Sequence, residues 1–291
     1  MKNRIKSLAA AGAIAVAAVA GSAWWGSQAE SVPLSQVSHI HGIAVDPEDS
    51  SRLYLATHHG VWRTSADGTA AQVSDNANDY MGFTPHPSEK GVFFGSGHPA
   101  AGGNVGFIVS RDGAQTWSQV SPGVNGPVDF HAMAVSAADP DVIYGLYGDI
   151  QVSRDGGKTW AIAGAPAGNV YDLAASASDP GTVYAATSTG LAVSRDGGKT
   201  WEPAGYQGQP ASLVEVAPDG TAYAFVVGAG LLKRASPDGE WQPVGNGFGE
   251  RILLHLAVDA ADPARLFAVT QESEILASAD GGRNWKPLAP H

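Results

Sequence analysis

Ser153-Arg-Asp-Gly-Gly-Lys-Thr-Trp160 recurs unchanged as Ser194-Arg-Asp-Gly-Gly-Lys-Thr-Trp201. Variants stand at Ser110-Arg-Asp-Gly-Ala-Gln-Thr-Trp117 and Ser278-Ala-Asp-Gly-Gly-Arg-Asn-Trp285, and worn copies at Ser65-Ala-Asp67-Gly68 and Ser236-Pro-Asp238-Gly239-Glu-Trp241. The six aspartates, 67, 112, 155, 196, 238 and 280, are spaced by 45, 43, 41, 42 and 42 residues. Such a period, filled with strand-like runs, predicts the blades of a β-propeller. The letters have a physical reading. Asp turns its carboxylate back onto amides of its own turn, Gly supplies a positive φ, and Trp buries a large ring between neighbouring blades.

Each repeat shows the same order. An inner strand comes first, then a turn often holding Asp-Pro, as at Asp139-Pro140 and Asp179-Pro180. A second strand follows with an aromatic anchor at Tyr54, Phe93, Tyr144, Tyr184, Tyr223 or Phe267. A third strand, the Asp turn and an outer strand complete the unit. Inner strands are expected to begin near 38, 78, 129, 169, 211 and 252, which makes six blades in one all-β domain spanning 30–291. Val32–Val37 is a candidate to pair with the last blade and close the ring.

The repeat resembles the Asp-box, or BNR repeat, of sialidases, sortilin-type receptors and a photosystem assembly-factor family. That resemblance implies the propeller and leaves function open, because the box is a structural turn. Sialidases hold their substrate with three arginines. Here Arg111, Arg154, Arg195 and Arg283 sit in boxes, Arg63 and Arg234 precede worn boxes, and only Arg251 is placed to reach the other end. A sialidase is therefore not expected.

Residues 1–29 read as a signal peptide, with an uncleaved anchor as the alternative. Lys2, Arg4 and Lys6 precede the apolar run Leu8–Ala20, and Ser27-Gln-Ala29 offers a cleavage site. This predicts export to a periplasmic or extracellular location. A formal charge of −11 with no basic run argues against nucleic acid as a partner. The absence of cysteine excludes disulfides, thiolate metal sites and a Cys nucleophile. A monomer is expected.

In a four-stranded blade, inner-strand starts and the loops between second and third strands share one channel mouth, while the boxes lie at the other end. Of nine histidines, seven map to that mouth: His39, His41, His131 and His255 on inner strands, and His58, His59 and His98 in loops. Alignment through the aromatic anchors puts His41 and His131 level with Tyr80 and Tyr171. His39-Ile-His41 on a strand would point two imidazoles the same way. The candidate metal ligands are His39, His41, His131, His58, His59 and His98, with Met81 as a thioether and Asp129 steadying a ligand from behind. Imidazole-rich ligation without thiolate suits copper or zinc.

Two other readings stay open. One is a glycoside hydrolase other than a sialidase, using carboxylates among Asp129, Asp149, Asp172, Glu215 and Glu272. The other is a scaffold that binds a protein or glycan ligand.

Overall fold

The Asp-box turn is the local unit from which the structure, a computed structural model, is built. It describes residues 31–237, 239–245 and 247–288; the expected signal segment, Asp238 and His291 lie outside the described residues. In the turn at Ser194, the hydroxyl donates to Asp196 Oδ1 at 2.8 Å and accepts the Gly198 amide at 2.8 Å. Asp196 also accepts the Thr200 amide and hydroxyl, at 2.9 and 2.7 Å. The boxes at Ser110, Ser153 and Ser278 repeat this pattern. One box therefore ties the end of the third strand to the start of the fourth. The worn copy at Asp67 keeps only the bonds to Thr69.

Trp then links neighbouring blades. Trp201 Nε1 is shared between the Gly198 carbonyl of its own box and the Gly164 carbonyl of the preceding blade. Trp160 donates to Gly157 and to Ser121 of the blade before it, and its ring packs on Phe107 and Phe130. The six aromatic anchors are all buried, and the hydrophobic clusters are made of facing side chains from neighbouring blades.

The strands form six antiparallel sheets, one of five strands and five of four. Innermost strands are Ile40–Val45, Asp79–Pro85, Ala132–Val135, Val170–Ala175, Ala211–Val216 and Leu253–Val258. Side chains strap each of several inner strands to the next. Thr84 Oγ1 donates to the Met133 carbonyl, the Val214 amide donates to Asp172 Oδ2, and Ser212 Oγ donates to the Leu253 carbonyl.

Ring closure differs from expectation. Ser31–Pro33 pairs with Thr69–Gln72, the outer strand of blade one, and so does not join the last blade. Its neighbours are dictated by apolar burial: Leu34 and Val37 pack with Phe267, Val269, Ile275 and Leu288 of blade six. The seam is held by this packing, by Arg265 donating to Ser50 Oγ and carbonyl, and by the His39 amide donating to Ser273 Oγ.

Ser194 is 1% exposed, so Ser194→Ala leaves the Gly198 amide without its acceptor. The expected loss is about 1–3 kcal/mol in equilibrium denaturation. Hydrogen bonds from Thr159, Thr200 and Asn284 hold the carboxyls of Asp155, Asp196 and Asp280 down to about 2. Depressed carboxylate values contribute stability above the unfolded value near 4, lost as pH falls through the folded one. The thermal midpoint should accordingly fall between about pH 4 and pH 2, and Asp196→Asn should flatten that fall.

Candidate metal centre

The site grows from two inner strands that approach closely. A Cβ at Gly42 of blade one would stand 2.8 Å from Cβ of Phe83 in blade two, so only glycine fits there. One residue earlier, the pairing skips from Ile40 to Gly42, and His41 is the bulged residue between them. A bulge re-aims its side chain. His41 Nε2 lies 3.8 Å from Oδ1 of Asp79, the first residue of the blade-two inner strand.

His58 arrives from the loop between second and third strands. Thr57 shapes that turn by accepting the His59 amide at 3.0 Å and donating to the Gly60 carbonyl at 2.9 Å. Gly60, at φ 92°, donates its amide to Asn78, the residue before Asp79. His58 Nδ1 contacts Asp79 Oδ2, and the His58 ring lies 4.4 Å from that of His41 and 5.1 Å from that of His39. His98, paired with Asp79 across the blade-two hairpin, brings Nε2 to 3.4 Å from Asp79 Oδ2.

Three groups thus converge. The ligand atoms of His41, His58 and Asp79 all lie within 4.8 Å of one another, an arrangement able to hold a metal ion. Asp79 is 5% exposed, and both its Oδ1 and His41 Nε2 are buried without a hydrogen-bond partner. Burial holds the His41 imidazole below its ordinary value, with Asp79 opposing and His58, His39 and His131 reinforcing. Its ring is therefore neutral at neutral pH, the form that ligates.

The remaining expected residues fall around this core. His131 feels the charge of both His41 and Asp79. Asp129 Oδ2 stands 3.4 Å from His131 Nε2, and that hydrogen bond raises the imidazole despite its partial burial. His131 precedes its strand, which begins at Ala132 and not near 129. His39 also precedes its strand and has a left-handed backbone, φ 54°. Strand alternation therefore does not align His39 with His41; both reach His58 through the turn and the bulge. The His59 ring centroid lies 6.4 Å from that of His58. Met81 is half-buried and paired with Ser96. His255 lines the channel below, where burial lowers it to about 4.

Asp79 was not among the expected ligands. The aromatic alignment placed Tyr80 level with His41, but Tyr80 is 1% exposed, packed on Trp117 and bonded to Asn76. In blade two the bulge falls between Met81 and Thr84, further along than in blade one. A bulge switches which residues face a given side, so Asp79 takes the inward place. Arg251, the one arginine expected at this mouth, is paired with Glu274 at 2.6 Å.

The BNR/Asp-box repeat family model matches residues 151–161 and 192–203. No curated protein matches the chain. Among solved structures, a GH74 enzyme from Niastella koreensis superposes with TM-score 0.60 at 16% identity, over 86% of this chain and 45% of the other. The GH74 xyloglucanase from Xanthomonas campestris gives 0.58 at 21% identity, over 89% and 46%. YCF48 from Cyanidioschyzon merolae gives 0.52 at 18% identity, over 89% and 87%. The chain spans less than half the length of these GH74 enzymes, and likeness at such identities concerns the fold. Sheets and superpositions agree on a six-bladed β-propeller, two of whose turns match the BNR/Asp-box repeat.

Proposed function

We propose that this is an exported propeller that binds a divalent transition metal, copper or zinc, at the junction of blades one and two. One observation carries the reading: His41 Nε2 and Asp79 Oδ1 are buried, unpartnered and directed at a common point beside His58. Leaving two such atoms unpaired costs about 1–3 kcal/mol each, and an ion between them removes that cost. A tetrahedral ion with ligands at about 2.0 Å needs ligand separations near 3.3 Å. The 3.8 Å gap closes with a small side-chain shift. His41, His58 and Asp79 are the proposed core, and His98, His39 or His131 supplies a further nitrogen, with His59 and Met81 at the edge. Nitrogen and carboxylate donors without thiolate favour Cu(II), then Zn(II). Metal handling outside the cytoplasm is the role this suits.

A second reading rests on the same mouth. Tyr147 and Tyr171, 42% and 50% exposed, stand on blades three and four and offer stacking faces to a glycan or peptide. GH74 xyloglucanase and YCF48 bound to D1 peptide share the fold, so a glycoside hydrolase or a binding scaffold remains the alternative.

Calorimetric titration of Cu(II) and Zn(II) into untagged protein should show one saturable site. Asp79→Asn and His41→Ala should each weaken it more than about tenfold, whereas His86→Ala, at the opposite mouth, should leave it unchanged. Because imidazole must be neutral to ligate and burial holds His41 below its ordinary value, affinity should fall as pH drops below about 6.5. A glycan that bound with the same residue dependence, and no metal binding, would transfer the site to the second reading.

A further inference from the structure

Below the histidine mouth the channel widens into a chamber of about 590 Å³. Its walls are largely apolar, with Ala44, Met133, Ala174 and Leu256 contributed by different blades. It opens toward the opposite mouth, where Pro47, Pro87 and Pro218 stand in the first hairpin loops. Three ionisable side chains line its interior: Asp172, Glu215 and His255.

The acids near the far rim are neutralised by cations. Asp46 pairs with Arg63, Asp259 with Arg265, and Glu89 with His86 and Arg111. The two interior acids have no such partner. Asp172 accepts the amides of Leu173 and Val214, at 2.9 and 3.0 Å. Glu215, half-buried on the lumen wall, has no hydrogen bond or ion pair to its carboxyl among the described residues. An isolated carboxyl in an apolar chamber, beside a second acid, is a costly arrangement to keep. It calls for a donor from outside the chain.

We propose that the chamber binds a small organic ammonium ion, its nitrogen held by Glu215 and Asp172 and its hydrocarbon part covered by Ala44, Met133 and Leu256. A hard metal ion is a poorer fit, because it demands six or more oxygen ligands and the interior supplies two carboxyl groups. An ammonium group offers up to three donors, and an attached chain buries apolar surface at about 25 cal/mol per Å². The chamber volume falls in the range that small ligands occupy. This site is independent of the histidine centre and is entered from the other end.

Proton balance follows from the empty state. Burial raises the Asp172 carboxyl to about 7 and that of Glu215 to about 8, the latter reinforced by Asp172. Loading an ammonium ion on Glu215 therefore expels the carboxyl proton to solvent and leaves a carboxylate–ammonium pair. The other titratable groups bordering the lumen are His255 within it and Asp46, His86, Glu89, Lys90 and Asp259 near the far rim.

The test is calorimetric titration with n-butylamine, and with n-butanol as its neutral match, in two buffers of different ionisation enthalpy. One saturable amine site is expected, with a proton released on binding and affinity rising from about pH 6 to about pH 8. Butanol should not bind. Glu215→Gln should weaken the amine about tenfold or more while Zn(II) binding persists, and His58→Ala should do the reverse. Asp172→Asn provides the same readout if Glu215→Gln does not fold. Absence of a saturable site, equal binding by Glu215→Gln and Asp172→Asn, equal binding of butanol, or displacement by Ca²⁺ at matching concentration would each overturn the proposal.

Discussion

Six twisted sheets must close on themselves, and every sheet must bury both faces against its neighbours. That constraint governs the rest of the molecule. It explains why the aromatic anchors are all buried, and why Trp160 and Trp201 each reach both their own box and the blade before it. It also explains the straps from Thr84, Asp172 and Ser212, which bond side chain to backbone where inner strands run side by side. Packing supplies most of the driving force, since apolar area removed from water is the dominant favourable contribution to folding. The boxes add geometry by fixing where each outer strand begins.

Closure leaves few backbone segments free to present chemistry. Inner-strand starts and second-hairpin loops are such segments, and at the junction of blades one and two they bring His41, His58 and Asp79 together. Gly42 lets the strands approach where a side chain would hold them apart. Beside that contact, His41 and Asp79 meet without bonding each other, at 3.8 Å, and His58 is set down between them by a turn tied to Asn78. The result is a polar group of three whose electrostatic needs the chain does not itself meet.

The fold was legible in the sequence because its signal is repeated. Six boxes, four of them well preserved, and six aromatic anchors over-determine the blade number, so an error in any one would have been corrected by the others. The mouth carrying the histidines was legible for the same reason, being a matter of strand order. The converging group at that mouth was only partly legible. His41 and His58 announced themselves by residue type, but Asp79 depended on a bulge position that no residue pattern in blade two reveals. His39 depended on a left-handed backbone at a position that reads as strand. The closing arrangement was illegible too: Val32 has the composition to pair with either blade one or blade six, and only the packing of Leu34 and Val37 decides.

Among the described residues each sheet is drawn from one continuous run of chain, and no strand is lent across the seam. Leu34 and Leu288, near the two ends of the described chain, sit in a single apolar cluster. The order of blades along the gene is therefore incidental to the ring. A chain begun in the Asp139-Pro140 turn and run round through a short linker joining the present ends would carry the same contacts in a new sequence. Such a molecule is indifferent to where along the ring its chain begins.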